Sequence, residues 1–460
     1  MALNMVVMAA GKGTRMKSAL PKVLHKLAHK ALLQHVLDTM APLDCATRIV
    51  ITGHGAELVE AATQGNQLQF VRQMPQLGTG HAVQQALPVL DDAADTTLIL
   101  NGDTPLVQEA TARALLAASA GTKLALLTVR LDDPTGYGRI LRDGSGQVTA
   151  IREHKDATEA ERQVREGYTG MMAAPTQLLR RWLGQLSNDN AQGEYYLTDI
   201  VAMAVAEGTP VVAALASSET EVLGVNDPVQ LAQLECRYQH QQAESLMRAG
   251  VRLRDPVRFD LRGSLSHGMD VEIDVNCLFE GEVHLADGVR VGANCVIKNA
   301  RIGAGAVIHP FTHIDGEAQP VEVGAGALIG PFARLRPGAK LGAEVHIGNF
   351  VEVKNSTLAA GAKANHLAYL GDADVGERVN FGAGSITANY DGANKHRTQI
   401  GADAHVGSNC VLVAPVSIGA GATVGGGSTI SKPVAGNQLV VARARQVVIE
   451  GWKRPAKVKK

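Results

Sequence analysis

The sequence predicts two folds in series: an α/β unit on a mostly parallel sheet and, beyond a connecting helix, a parallel β-helix of hexapeptide repeats. Three observations carry that expectation. Up to about residue 225, short apolar β-favouring runs alternate with helix-patterned stretches, as in a sheet whose strands are crossed over by helices. From residue 227 to 249 the chain is polar and rich in Gln and Glu, with Leu231, Leu234 and Tyr238 at helical spacing. After Val251, small aliphatics recur every six residues. That period suits neither a helix nor simple strand alternation, but it suits a prism whose flat faces each turn one aliphatic inward.

The first strand is the apolar run from Leu3 to Met8, and it opens onto "AAGKGTRM", Ala9 to Met16. Gly-rich turns free backbone N–H groups to face an anion, and nearby cations neutralise it. Two familiar phosphate motifs are excluded. A P-loop needs Ser or Thr after Gly-Lys, where Gly13 stands, and a dinucleotide fingerprint needs a small residue in place of Met16. Further strands are expected at Arg48–Thr52, Thr97–Asn101 and Lys123–Arg130, with helices over Gly80–Leu90 and Val107–Ala120. Ligands of such sheets bind beyond the carboxyl ends of the strands. The Gly-rich turn and Asn101-Gly102-Asp103 both occupy such ends.

In the second half the inward aliphatics are Ile273, Phe279, Leu285, Val291 and Ile297, then Val323, Ile329, Leu335, Leu341, Ile347 and Val353. A third series runs Ile400, Val406, Leu412, Ile418, Val424 and Ile430. The period drops one residue at Asn299–Arg301 and is interrupted by an insertion at Thr387–Gln399. An insertion projecting from a regular coil points to function. The flat faces of a three-sided prism favour self-association, and a homotrimer is the expected assembly. The expected boundaries are 1–228 for the α/β domain, 229–249 for the linker helix and 250–460 for the β-helix with its tail.

A chain of 460 residues with a formal net charge of -1 offers no general attraction to nucleic acid or to a membrane. Only the tail Lys453–Lys460 is strongly basic, which fits a solvated terminus. The five cysteines have no CxxC spacing, so neither a zinc site nor a disulfide framework is indicated. The N-terminus has no basic region before its apolar run, and that run is too short to span a bilayer. The cytoplasm is the expected compartment.

Ordered motifs run the length of the chain: "AAGKGTRM", "LPKVLH", "QLGTGHA", "NGDTPL", "PTGYGRI", "EHKDAT" and "GVND", then "GPFARLRPGA", "GNFVEVK", "NHLAYLGD", "NFGAGSITANYDG" and "EGWKRP". With them the chain closely resembles the bacterial bifunctional N-acetylglucosamine-1-phosphate uridylyltransferase and glucosamine-1-phosphate N-acetyltransferase family. The resemblance covers almost the whole chain. It implies a Rossmann-like nucleotidyltransferase domain followed by a left-handed parallel β-helix. It also implies a role in making UDP-N-acetylglucosamine for cell-wall and lipopolysaccharide synthesis, with Mg²⁺ as cofactor and UTP and acetyl-CoA as co-substrates.

For uridylyl transfer the resemblance implies that Met8, Ala9, Ala10 and Gly11 approach uracil and ribose, and that Arg15 and Lys22 neutralise phosphates. Gln73, Gly78 and Thr79 match uracil-binding positions. Asn101 and Gly102 lead to Asp103, which with Asn226 matches the Mg²⁺ ligands. Gly138, Glu153 and Tyr168 match positions about the amino sugar. Two of these positions depart from the family pattern: Asn101 stands where Tyr is common, and Tyr168 where Asn is common.

For acetyl transfer, His366 matches the general base, and Arg336, Lys354, Tyr369 and Asn380 match glucosamine-1-phosphate positions. Ala383, Asn389, Tyr390, Lys395, Ser408, Gly426 and Arg443 match the acetyl-CoA groove, with Gly426 where Ala is common. Two other readings compete. One is a single-function nucleotidyltransferase whose β-helix serves only as a trimerisation scaffold. The other is a non-catalytic binding solenoid.

Overall fold

The computed structural model describes residues 2–457, so the last three residues of the basic tail lie outside the described residues. The chain divides into two compact units, Met1–Tyr238 and Gln239–Lys460. Among the described residues no helix is long and apolar enough to cross a membrane.

The first unit is built on nine strands: β1 (Leu3–Ala9), β2 (Thr47–Thr52), β3 (Leu68–Arg72), β4 (Thr96–Asn101), β5 (Leu124–Arg130), β6 (Gly138–Arg142), β7 (Val148–Arg152), β8 (Glu166–Pro175) and β9 (Val211–Leu215). Their order across the sheet is β9-β5-β8-β4-β1-β2-β3, with the β6–β7 hairpin joined to β8. All pairs on that path are parallel except those of β8, which runs antiparallel to both β4 and β5. The sheet is covered on both faces. Val6 packs into one apolar cluster while Met5 and Val7 pack into the other, as side-chain alternation along a doubly buried strand requires.

Of the helices of this unit, α1 (Leu32–Met40) and α3 (Glu109–Ser119) pack into one of these clusters and α2 (Thr79–Gln84) into the other. The helix expected over Gly80–Leu90 stops at Gln84, and a 3₁₀ turn at Leu87–Val89 follows. The cause is Pro88, which lacks an N–H and disfavours α geometry at the residue before it. The long helix α4 (Pro228–Arg248) carries the Gln- and Glu-rich stretch. Its Leu234 is buried with Met16, Leu27, Leu32, Leu106 and Val225. Further along, Gln239 caps a backbone edge by accepting from Leu261 N at 2.8 Å and donating to Leu261 O at 3.0 Å.

The second unit is a solenoid in which short strands pair in parallel with the strands one coil away. The aliphatics expected to point inward are all buried, from Ile273 through Ile430. Between the second and third series the column continues through Leu358, Ala364, Leu370, Val375 and Phe381, all buried as well. These escape a period-six reading because the inward positions fall five apart at Val353–Leu358 and Leu370–Val375, as they do at Ile297–Ile302. Each shortened corner turns on a residue with positive φ: Asn299 (44°), Asn355 (45°) and Asp372 (49°). Asn and Asp tolerate that geometry better than other side chains. The insertion after Thr387 is a loop pinched by an isolated bridge between Tyr390 and Lys395.

Candidate functional site

In the first unit the parallel register places Met8 beside both Ile51 and Asn101, so the ends of β1 and β4 open at one level. The turn that follows β1 folds back tightly. Gly13 adopts φ +59°, and a Cβ there would lie 2.7 Å from the Lys22 Cβ. Glycine at 13 is thus what lets the turn lie against Lys22. The Lys22 ammonium contacts the Asp103 carboxylate and also lies 3.3 Å from Asn226 Oδ1. One cation is therefore held by the two residues matched as metal ligands.

A cavity of about 420 Å³ is lined by Met8 to Lys12, Lys22, Gln73, Gly78, Thr79, Asn101 and Asp103, with Gln76 and Glu194 also on its wall. Asn101 and Asp103 form the ridge to a second cavity of about 450 Å³. Arg15 and Asn226 line that second cavity, with Tyr137 and Arg237. Arg15, near the end of the Gly-rich stretch, thus lines the second cavity, while Met8 to Lys12 line the first. Thr79 Oγ1 accepts from Leu197 N at 3.1 Å, which gives its hydroxyl a structural partner. Gly102 N donates to Met8 O at 2.9 Å and ties the two strand ends together.

Gly138, Glu153 and Tyr168 form a third group. Gly138 pairs with Tyr168 across β6 and β8. Glu153 accepts from Thr198 Oγ1 at 3.0 Å. Burial holds its pKa above the usual carboxylate range; the Thr198 bond opposes this, and Asp156 and Asp199 reinforce it. The Tyr168 phenol is fully enclosed, its oxygen has no hydrogen-bond partner among the described residues, and burial then Glu153 push its pKa up. Asn101 donates to Thr169 O at 3.0 Å, so the two positions that depart from the family pattern belong to adjoining segments.

In the second unit His366 is exposed at the end of the strand Lys363–His366. Its Nδ1 lies 2.7 Å from Asn349 Oδ1 on the preceding coil. An amide oxygen only accepts, so Nδ1 carries the proton and Nε2 keeps a free lone pair. A corner at Leu367 (φ 51°) separates His366 from Tyr369. Around that corner Arg334, Glu352 and Tyr369 stack in register on successive coils, and Arg336 donates to Glu352 at 2.8 Å. Lys354 is pushed below the usual lysine range by the adjacent Lys395 first, then by partial burial and by Arg336, with Asp372 opposing. Three cations therefore converge, and Lys395 sits with the sugar-phosphate positions rather than apart from them. Asp372 accepts from both Asn355 and Asn389.

On the other side of His366 a backbone ladder leads away along the coils. Gly384 N donates to His366 O at 3.3 Å, Asn409 N to Ala383 O at 2.7 Å, and Gly427 N to Ser408 O at 2.8 Å. Arg443 ends the ladder by donating to Gly426 O at 2.6 Å. Asn380 approaches His405 Nδ1 at 3.2 Å. Tyr390 is exposed, and its hydroxyl folds back to donate to Gly392 O at 2.6 Å. Residue-by-residue matching missed Asn349, Glu352, Asp372 and His81. All four lie inside or beside the quoted motifs, but each contacts another side chain or holds a corner, and sequence spacing does not show that.

A family model for the MobA-like NTP transferase domain matches residues 5–166, and one for the bacterial transferase hexapeptide (six repeats) matches residues 320–355 and 397–432. Full-length relatives are similar as well. The chain is 74% identical over 462 residues to "Bifunctional protein GlmU" of Methylibium petroleiphilum, covering 99% of each chain. It is 64% identical to the protein of that name in Paracidovorax citrulli, covering 100% of this chain and 99% of that one. For Azoarcus sp. the identity is 58%, covering 99% of this chain and 100% of the other.

Proposed function

Since the chain belongs to the family of the bifunctional protein GlmU, sharing up to 74% identity across both units, we propose which of its residues carry each of the family's two reactions. The protein is a bifunctional enzyme. It acetylates glucosamine-1-phosphate with acetyl-CoA and transfers UMP from UTP to N-acetylglucosamine-1-phosphate, releasing pyrophosphate. The repeats fit assembly as a homotrimer. We place the enzyme in the cytoplasm.

In uridylyl transfer an oxygen of the sugar phosphate bonds to the α-phosphorus of UTP, and the bond to pyrophosphate breaks. Such chemistry is mostly positioning and charge neutralisation. Arg15 and Lys22 supply fixed positive charge, and the backbone from Met8 to Gly11 lines the cavity for base and ribose. The donor set suits a hard divalent cation, one carboxylate and one amide oxygen already converging on an ammonium. Asp103 and Asn226 would hold Mg²⁺, which when bound spreads the phosphate charge. Gly138 and Glu153 would face the amino sugar, whereas Tyr168, expected to contact it, has its phenol fully enclosed and would only back the site from within.

In acetyl transfer the sugar amine bonds to the thioester carbonyl carbon as His366 Nε2 takes a proton from the nitrogen, and the C–S bond breaks so that CoA leaves as the thiol, taking up that proton. Asn349 supports this by fixing the ring tautomer. Arg336, Lys354, Tyr369 and Asn380 would hold the sugar phosphate, and the N–H of Ala383 would face the developing oxyanion. The backbone edge from Ala383 through Ser408 and Gly426 to Arg443, with Asn389 and Tyr390, would take acetyl-CoA, and Lys395, beside Lys354, would join the sugar-phosphate cations. The carrying observation is the match along the full length of both units, which displaces the scaffold and binding-solenoid readings. Mass spectrometry of products from glucosamine-1-phosphate, acetyl-CoA, UTP and Mg²⁺ tests it. UDP-N-acetylglucosamine, CoA and pyrophosphate are expected. Acetylated sugar phosphate without UDP-sugar, or no product, would overturn it.

A further inference from the structure

We propose that His81 is a positioning residue: it fixes which end of the Gln73 amide faces the nucleotide cleft, so that the site selects a pyrimidine with a proton on N3. The inference rests on the uridylyltransferase reading of the first unit. Gln73 follows β3 directly and lines the cavity beside the Gly-rich turn, yet is only 3% exposed. Its Nε2 lies 2.9 Å from Gly78 O and 3.2 Å from His81 Nδ1. A carbonyl oxygen can only accept, so the atom facing Gly78 is the nitrogen. Its second hydrogen then points to Nδ1, which must accept. Both amide hydrogens are thus engaged, and Oε1, which has no partner among the described residues, is the group left for a ligand.

The two acceptors are themselves fixed. Gly78 has φ +107°, and a Cβ there would come within 2.6 Å of Tyr195 O. Gly80 N donates to Tyr195 O, and Tyr195 N to Leu77 O, each at 2.8 Å. His81 is the third residue of α2, with its ring 6.2 Å from that of Tyr195. Gln85 donates to the His81 carbonyl at 3.1 Å. With Nδ1 accepting from Gln73, the neutral ring carries its proton on Nε2.

The chemical consequence is discrimination at one edge of the base. Uracil presents an N3–H to a facing oxygen, whereas cytosine presents a lone pair at N3 and an amino group beside it. A carbonyl held toward the base accepts from the first and repels the second. Without His81 one amide hydrogen loses its partner in a buried place, and the Gly78 carbonyl alone holds the nitrogen, so the amide is held less firmly in its present orientation. Turning would offer nitrogen to the base and weaken the preference.

The test uses the full-length enzyme with UTP and with CTP at saturating N-acetylglucosamine-1-phosphate. For His81→Ala, the UTP/CTP ratio of kcat/KM is expected to fall on the order of tenfold, mainly through KM for UTP. For His81→Asn, whose Oδ1 stands where Nδ1 stood, the ratio should stay within about twofold of wild type. Acetyl transfer in the same preparations reports the amount of full-length protein, and the separate melting transition of the first unit reports whether that unit is folded. Equal losses with both nucleotides in His81→Ala would overturn the inference. Should His81→Ala not fold, a shifted ratio in His81→Asn would do the same. Wild-type protein that uses neither nucleotide would instead overturn the uridylyltransferase reading beneath it.

Discussion

Gly13 and Lys22 show how much a single Cβ decides. The turn after β1 places Lys22 only because residue 13 has no side chain and adopts φ +59°. In Gly13→Ala a methyl group would meet the Lys22 Cβ at 2.7 Å. Uridylyl transfer should fall at least about tenfold while acetyl transfer stays at the wild-type rate, as separate assays of the two reactions would show. Glu153 gives a second prediction at this scale. Burial raises its native pKa above its ordinary value of 4.5, so between the unfolded and native values the native state holds more protons. Stability therefore falls as pH rises through that window. Glu153→Gln should gain in Tm relative to wild type between pH 4 and pH 8, and an unchanged difference would contradict the sign. Lys22, Asp103 and His366 were legible in the sequence because their motifs carry them. Their partners were less so. Asn349 reaches His366 across a coil, and His81 acts through an amide eight residues away.

Among the elements, the hexapeptide coil was readable wherever its step stayed at six. It was lost between Val353 and Ile400, where corners at Asn355 and Asp372 drop a residue and Thr387 replaces an aliphatic in register with Leu412. Those irregular coils carry Lys354, His366, Tyr369 and Asn389. The local departures that hide the period are thus the same ones that present polar groups at the corners. In the first unit the strands β2, β4 and β5 were plain from their apolar runs, but the antiparallel β8 was not, because strand direction is set by tertiary pairing rather than by composition. The inward column has its own test. Leu370 is fully buried between Val353 and Thr387, and Leu370→Ala should cost about 2–5 kcal/mol. On mild heating its acetyl transfer should be lost well before its uridylyl transfer, followed as residual activity against temperature. Parallel loss of both would mean that the solenoid is not an independent stability unit.

The whole molecule carries two catalytic groups in two compact units, each with its own core. The shift from alternating strands and helices to a period of six announced that division in the sequence. What spacing could not supply was which cavity each matched residue lines, as with Arg15, which lines the second cavity although Met8 to Lys12 of the same stretch line the first. The most direct test of two independent reaction centres is a mixing measurement with Asp103→Ala and His366→Ala, each given glucosamine-1-phosphate, acetyl-CoA, UTP and Mg²⁺. Asp103→Ala alone should accumulate N-acetylglucosamine-1-phosphate, and His366→Ala alone should leave the substrate unacetylated. The mixture should form UDP-N-acetylglucosamine, because the intermediate released by one protein is consumed by the other. Loss of both partial reactions in either variant, with no product from the mixture, would contradict the account.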